Sequence, residues 1–221
     1  MVSMNFKIII DPEFCAFYNQ AGTFMKSQAS FMFQDLINYM RYFVDLRPIH
    51  IDALASVVQP GKLKKKEHLL TSGDVCNHVT FFNQGYFRFY HYKSDGSEVT
   101  RDFYFAPGFS TSYTSLISRE PSTLFLQAME DMNILKIHIH QLQQLYEQYQ
   151  TIERFGRLMA ETTFIYTEKH LLSFLNDPAE ERYRYLLEEY PEFIQKIPLQ
   201  YIASYLGITP ETLSRIRKKI R

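Results

Sequence analysis

Glu211, Ser214, Arg215 and Lys218 recur at three- and four-residue steps in the segment ITPETLSRIRKKIR and so share one side of a helix, while Leu213 and Ile216 point the other way. An acid, a hydroxyl and two cations on one exposed face suit the major groove of duplex DNA. Charge agrees with this. The chain balances 24 basic against 24 acidic residues, yet from Pro198 to Arg221 five basic side chains stand against the single acid Glu211. A helical hairpin with a solvated basic end is the plain alternative, but it does not account for the residues that precede the face.

Those residues build the support. Ile202, Leu206, Leu213 and Ile216 supply the apolar surfaces that close two short helices on each other, and Ala203 keeps the crossing close. Gly207 is the expected stop of the first helix, since a left-handed residue there turns the chain sharply. Ile208 fills the turn. Thr209 is an N-cap and Pro210 fits the first position of the second helix. Leu199 to Ile216 therefore carries the pattern of a helix-turn-helix.

Other chemistry-bearing residues are sparse. Cys76 and His78 stand two apart, as do His138 and His140, which raises a metal-dependent, cupin-like enzyme as a competing class. No glutamate follows at facial-triad spacing; Glu147 lies on the next helix. There is no phosphate-cradling glycine loop and no nucleophile in a recognisable setting, so the chain is read as a non-enzyme that carries no cofactor. Cys15 and Cys76 are too few for an iron–sulfur cluster and suit a reducing compartment. With no apolar run long enough for a bilayer and no secretory signal pattern, a cytoplasmic location is expected.

The 221 residues suffice for one large and one small domain. Residues 1–24 read as a leader of uncertain structure in which FKIII is a possible strand. Met25 opens a more regular pattern and is an alternative start. Phe31 to Phe43 and Ile51 to Val58 are amphipathic and helical. From Gly61 to His140 the period becomes two, with strands expected at Gly61–Lys66, His68–Thr71, Val79–Phe82, Tyr86–Tyr92, Glu98–Phe105, Thr123–Met129 and Ile134–Ile139. Short, closely spaced strands suggest a jelly-roll or barrel. Helices follow at His140–Tyr149, Thr151 to about Leu175, and Ala179–Glu189, with Asp177-Pro178 as a hinge. The fold class is α+β, with 25–150 as a β-roll domain, 151–176 as a long helix and 177–221 as the helix-turn-helix domain.

The long helix has more apolar positions than one interface needs. Phe155, Leu158, Thr162, Ile165 and Leu172 form one stripe; Ile152, Met159 and Tyr166 form its neighbour. Two stripes imply two partners, the roll and the same helix of a second subunit. Ile152, Phe155, Met159, Thr162 and Tyr166 are the expected dimer contacts. Both stripes lying in one wide intramolecular core is the alternative.

A β-roll, a long helix and a C-terminal helix-turn-helix, in that order, resemble the Crp/Fnr regulators. The likeness spans Phe31 to Arg221 and is strongest in AEERYRYLLEEYP and IASYLGITPETLSRIRKKI. It implies a sensory domain of the cyclic-nucleotide-binding type, a winged-type helix-turn-helix, and a homodimer on a two-fold-related DNA site. It also implies RNA polymerase as a partner if the protein activates, and no membrane. By the same resemblance Glu211 is similar to the acid that accepts from cytosine N4, and Arg215 to the arginine that reads guanine, with Ser214 beside them. Thr209, Thr212, Arg217, Lys218 and Lys219 are matched to phosphate contacts. Pro210 departs from the family's first arginine, so one base contact is missing.

The sensory site departs further. Where cyclic-AMP binders carry Gly-Glu and Arg-Ser/Thr-Ala, this chain has Gly108-Phe109-Ser110-Thr111-Ser112 and Pro121-Ser122-Thr123. The acid slot holds Thr111 or Ser112 and the arginine slot Pro121, with Arg119 the nearest substitute. A buried phosphate without its guanidinium costs several kcal/mol, so an effector other than cyclic AMP is expected in a pocket of Gly108, Ser110, Thr111, Ser112, Arg119, Ser122 and Thr123. Phe103, Phe105, Phe109, Tyr113 and Phe125 are candidate apolar walls, or plain core. A constitutive DNA binder with a ligand-free roll is the remaining alternative.

Overall fold

The computed structural model of the chain describes residues 28–220. The expectations for the leader, the FKIII strand, Met25 and Arg221 lie outside the described residues.

Two helices, α1 (Gln28–Arg41) and α2 (Pro48–Val57), precede eight strands. These are β1 (Gln59–Leu63), β2 (His68–Leu70), β3 (His78–Phe82), β4 (Tyr86–Tyr92), β5 (Glu98–Phe105), β6 (Gly108–Ser110), β7 (Phe125–Ala128) and β8 (Met132–His138), with a short helix α3 (Tyr113–Ser118) between β6 and β7. The strands form two antiparallel four-stranded sheets, ordered β1-β8-β3-β6 and β2-β7-β4-β5. This is the jelly-roll order that the short, turn-punctuated strands suggested. The sheets meet at Phe82 and Phe87, whose rings are perpendicular with centroids 4.9 Å apart. Both side chains are fully buried, each contributing about 2 kcal/mol of burial.

Helices close the roll. Met32, Leu36, Ile37 and Met40 form the buried stripe of α1. α4 (Ile139–Gln148) and the 27-residue α5 (Gln150–Asn176) add Leu142, Leu145, Ile152 and Phe155 to the same core. The chain then continues through α6 (Ala179–Glu189), α7 (Pro191–Lys196), α8 (Leu199–Tyr205) and α9 (Pro210–Ile220). Among the described residues this last segment is helical throughout, without the strands of a wing.

Two features differ from the sequence expectation. β6 and α3 fill a stretch with no regular pattern, because three- and six-residue elements are too short for either period to register. The segment after Asp177 also does not pack alone. Its core of Tyr183, Ile197, Ile202, Ala203, Leu206 and Leu213 is continuous with Tyr86 and Met129 of the roll.

Candidate functional site

α8 and α9 pack as a tight two-helix unit. Ala203 and Leu213 are fully buried where the helices cross, with Ile202 and Leu206 beside them. Gly207 has φ +69°, its amide bonds to the Ser204 carbonyl, and the Ile208 amide bonds to the Ala203 carbonyl. That pair of bonds is a Schellman stop, which satisfies the last carbonyls of α8. Thr209 caps α9, its hydroxyl accepting from the Thr212 amide at 3.2 Å, with Pro210 at the first helical position.

The outward side of α9 carries the expected row. Glu211, Arg215 and Lys218 are exposed, Ser214, Thr212 and Arg217 half-buried, and Thr209 exposed at the cap. Arg215 donates to the Thr212 hydroxyl at 3.1 Å. The Glu211 carboxyl is held below its usual range by its own backbone amide, the Thr209 hydroxyl and the Arg215 charge, so it stays ionised. Lys219 differs from its neighbours, because it already pairs with Glu180 of α6 at 2.7 Å.

This unit is fastened to the roll at several points. The Ser204 hydroxyl accepts from the Thr100 amide at 2.9 Å and donates to the Glu98 carbonyl at 3.3 Å, both on β5. Arg88, only 1% exposed, lies under the Tyr201 ring at 3.8 Å while bonding Thr100 and Glu98. The Tyr86 hydroxyl reaches the Lys196 carbonyl at 3.3 Å. On the other side, Phe174 of α5 lies against Gly207, where an added Cβ would come within 3.1 Å of the ring.

A cavity of about 310 Å³ lies between the roll and α5. Thr111, Ser112, Ser122 and Thr123 line it, as do Phe109 and Tyr113. Gly108 and Ser110 belong to β6 but do not line it, and Arg119 is turned away. The Arg119 guanidinium bonds the carbonyls of Cys76 and Leu116 and the Asn77 side chain, so it is committed elsewhere rather than free to meet a phosphate. The Ser112 and Ser122 hydroxyls bond each other at 3.0 Å, and Ser115 is engaged by Cys76 and Glu120. Of the remaining aromatics, Phe103 and Phe105 pack toward the C-terminal helices and Phe125 stacks on Tyr90.

The expected dimer contacts on α5 mostly face the chain's own roll. Ile152 and Phe155 are buried in its core, and Met159 lines the cavity. Tyr166 donates to Asp102 Oδ1 at 3.0 Å, and Thr162 is half-buried. The 3.6-residue period marks stripes but not what covers them. A different row faces outward: Phe164, Ile165, Leu171, Leu172 and Leu175, between 46% and 69% exposed.

Asp102 also lines the cavity, and the sequence reading missed it. It sits beside an extra residue, Arg101, where the β4–β5 register shifts. Its carboxyl is pushed up to about 6, mainly by burial and against the pull of the Phe103 amide, the Tyr166 hydroxyl and the Arg101 charge. The adjacent charges Arg101 and Asp102 just before the aromatic run of β5 were the available signal, but alternation alone does not reveal a bulge.

The histidines come together in a way their spacing only half suggests. His78 is paired with His138 across β3 and β8, ring centroids 5.1 Å apart, with His140 5.2 Å from His138. Cys76 is buried, its thiol bonded to the His78 carbonyl and near the Thr111 hydroxyl. Among the described residues no three His, Cys, Asp or Glu side chains are arranged to hold a metal ion, and no helix is long and apolar enough to cross a membrane.

Comparison with known proteins gives the fold. Residues 60–149 match the family model of the cyclic nucleotide-binding domain. No curated protein matches the chain by sequence. Among solved structures, FixK2 from Bradyrhizobium japonicum superposes with a TM-score of 0.65 at 21% identity, over 74% of this chain and 84% of that one. The c-di-GMP responsive global regulator CLP of Xanthomonas campestris gives 0.63 at 15% identity, over 79% and 91%. A protein of Eubacterium rectale described as a transcriptional regulator of the Crp/Fnr family gives 0.63 at 16% identity, over 79% and 83%. The chain has the fold of the Crp/Fnr regulators, with a cyclic nucleotide-binding type of roll at its centre.

Proposed function

We propose that this protein is a DNA-binding transcription regulator rather than an enzyme, with α8 and α9 as its helix-turn-helix and α9 as the recognition helix. The observation that carries the reading is the row Glu211, Arg215 and Lys218, solvent-facing on a helix whose other side is locked by Leu213, Gly207 and the Thr209 cap. Glu211, Ser214 and Arg215 read base edges; Thr209, Thr212, Arg217 and Lys218 meet phosphates, and Lys219 does so only on leaving Glu180. The Crp/Fnr fold supports the same conclusion.

The protein acts as a homodimer through the outer row of α5, Phe164, Ile165, Leu171, Leu172 and Leu175, whose seven-residue recurrence from Phe164 to Leu171 and from Ile165 to Leu172, with Leu175 three to four residues on, suits a second copy of the helix. A cavity effector shifts the balance between arrangements of the reading heads by binding one of them better. That effector is not cyclic AMP, because Arg119 is bound to backbone and the serine hydroxyls are bonded among themselves.

Selection of bound sequences from random duplex DNA tests the reading. Enrichment of two-fold-related half-sites about 10 base pairs apart, centre to centre, is expected. Failure to enrich any sequence, or enrichment of an asymmetric single site, overturns it.

A further inference from the structure

The charged groups that line the cavity are Asp102 and Glu120 against the single base Arg101. Its walls are Phe89, Tyr104, Phe109, Phe155 and Met159, and the serine hydroxyls at its α3 end are bonded to one another or to backbone. Asp102 also lines it, 8% exposed, and both hydrogen bonds to its carboxyl, from the Phe103 amide at 2.8 Å and the Tyr166 hydroxyl at 3.0 Å, fall on Oδ1. Among the described residues no cation forms an ion pair with it. Arg101, the preceding residue of β5, also lines the cavity; it is exposed, and its charge lowers the carboxyl's proton affinity without an ion pair.

We infer that this cavity takes a small organic cation, an amine on an aromatic or aliphatic body, seated on the Asp102 carboxylate. A buried carboxylate without a paired charge is costly, and a ligand ammonium at Oδ2 supplies the missing partner. An anionic ligand seated there would place like charge against Asp102, with only the exposed Arg101 to offset it. The aromatic walls favour the same choice twice, by burying the ligand's apolar body and by presenting ring faces to a cation. At about 310 Å³ the space holds a molecule of roughly ten non-hydrogen atoms.

The seat is joined to the reading head. An ammonium at Oδ2 keeps Asp102 ionised and makes the Tyr166 bond charge-assisted. Tyr166 stacks with His170 at 6.1 Å, His170 stacks with Tyr205 of α8 at 5.0 Å, and the Tyr205 hydroxyl bonds His170 Nδ1 at 3.1 Å. Occupancy of the cavity is therefore felt by the first helix of the α8–α9 unit. This consequence for DNA rests on the regulator reading above; the binding of the cation does not.

Calorimetric titration of the full chain with 2-phenylethylamine and tryptamine, and with phenylacetate and cyclic AMP as anions, tests the inference. Saturable binding of at least one amine is expected, with neither anion binding, and the affinity should fall at least tenfold in Asp102→Asn. Should that variant fail to fold, the wild type alone decides. Its amine affinity should fall at least tenfold as the pH drops from 7.5 to 5 and the carboxyl takes up its proton. Tighter binding of phenylacetate or cyclic AMP, no saturable binding of either amine, or amine binding indifferent to both the variant and the pH overturns it. The DNA selection is scored separately: a chain that selects DNA but binds no amine sinks only this inference, and the reverse sinks only the regulator reading.

Discussion

The Arg182 guanidinium donates to the Leu206 carbonyl at 2.7 Å and, through its other terminal nitrogen, to the carbonyls of Asp177 at 2.6 Å and Phe174 at 3.2 Å. One side chain thus gathers the end of α5, the turn at Asp177-Pro178 and the end of α8, with its guanidinium 4.7 Å from the Phe174 ring centre. Charged donors at carbonyl-rich helix ends are well placed. Replacing Arg182 with Gln should lower stability by about 2 kcal/mol in denaturant unfolding and speed proteolytic cleavage between residues 174 and 182. Unchanged cleavage would mean that the turn is held by other contacts.

Gly207 meets two demands at once, a positive φ and close passage of the Phe174 ring. Gly207→Ala should therefore destabilise by about 1 kcal/mol or more, read as a lower Tm. Trimming the ring in Phe174→Leu should restore part of the loss. Additive losses in the two variants would separate the backbone effect from the steric one.

Asp102 gives the protein a pH dependence whose sign is fixed. Its folded carboxyl is raised to about 6, above the ordinary value near 4 in the unfolded chain. Between those values the folded state binds more protons, so its stabilising contribution is full below about pH 4 and is lost as the pH rises through about 6. The span is at most about 3 kcal/mol. Denaturant unfolding at several pH values should show this slope in the wild type and a flatter one in Asp102→Asn.

Ile165 and Leu172 stand seven residues apart in the outward row of α5, 46% and 51% exposed. Ile165→Glu with Leu172→Glu should dissociate a dimer that meets there while leaving each subunit folded. Sedimentation velocity reads the first result and circular dichroism the second. A dimer that survives both charges is assembled elsewhere.

Arg215→Ala should cost about 1–3 kcal/mol of discrimination at one base pair in each half-site. Lys218→Ala should weaken binding evenly across sequences and flatten its salt dependence. Binding isotherms on point-substituted duplexes at several salt concentrations separate the two roles.

The parts legible in the sequence are those fixed by neighbours a few residues away. Gly207, Thr209 and Pro210 each act within one turn, and the structure has them as stop, cap and first residue of the next helix. β4 and β5 keep their expected bounds, because Gly96 at φ +81° and Asp95, bonded to Ser97, define the turn between them. What remained hidden depends on distant packing. The stripe of Ile152, Phe155, Met159 and Tyr166 was legible as a stripe, but only the fold shows the chain's own roll against it. Arg119 likewise reads in the sequence as the nearest substitute for the missing phosphate arginine, and only the fold shows it bound to Cys76 and Asn77.

β5 is the last strand of its sheet, and α8 is what covers its open side: Ser204 occupies the Thr100 amide and the Glu98 carbonyl that would otherwise face solvent. An uncovered strand border of this kind is a template for adding another chain. Shedding or cutting away the C-terminal helices would lay bare that border together with Phe103 and Phe105, so the roll on its own should be prone to stick to its own kind. The C-terminal helices thus double as a shield over the roll.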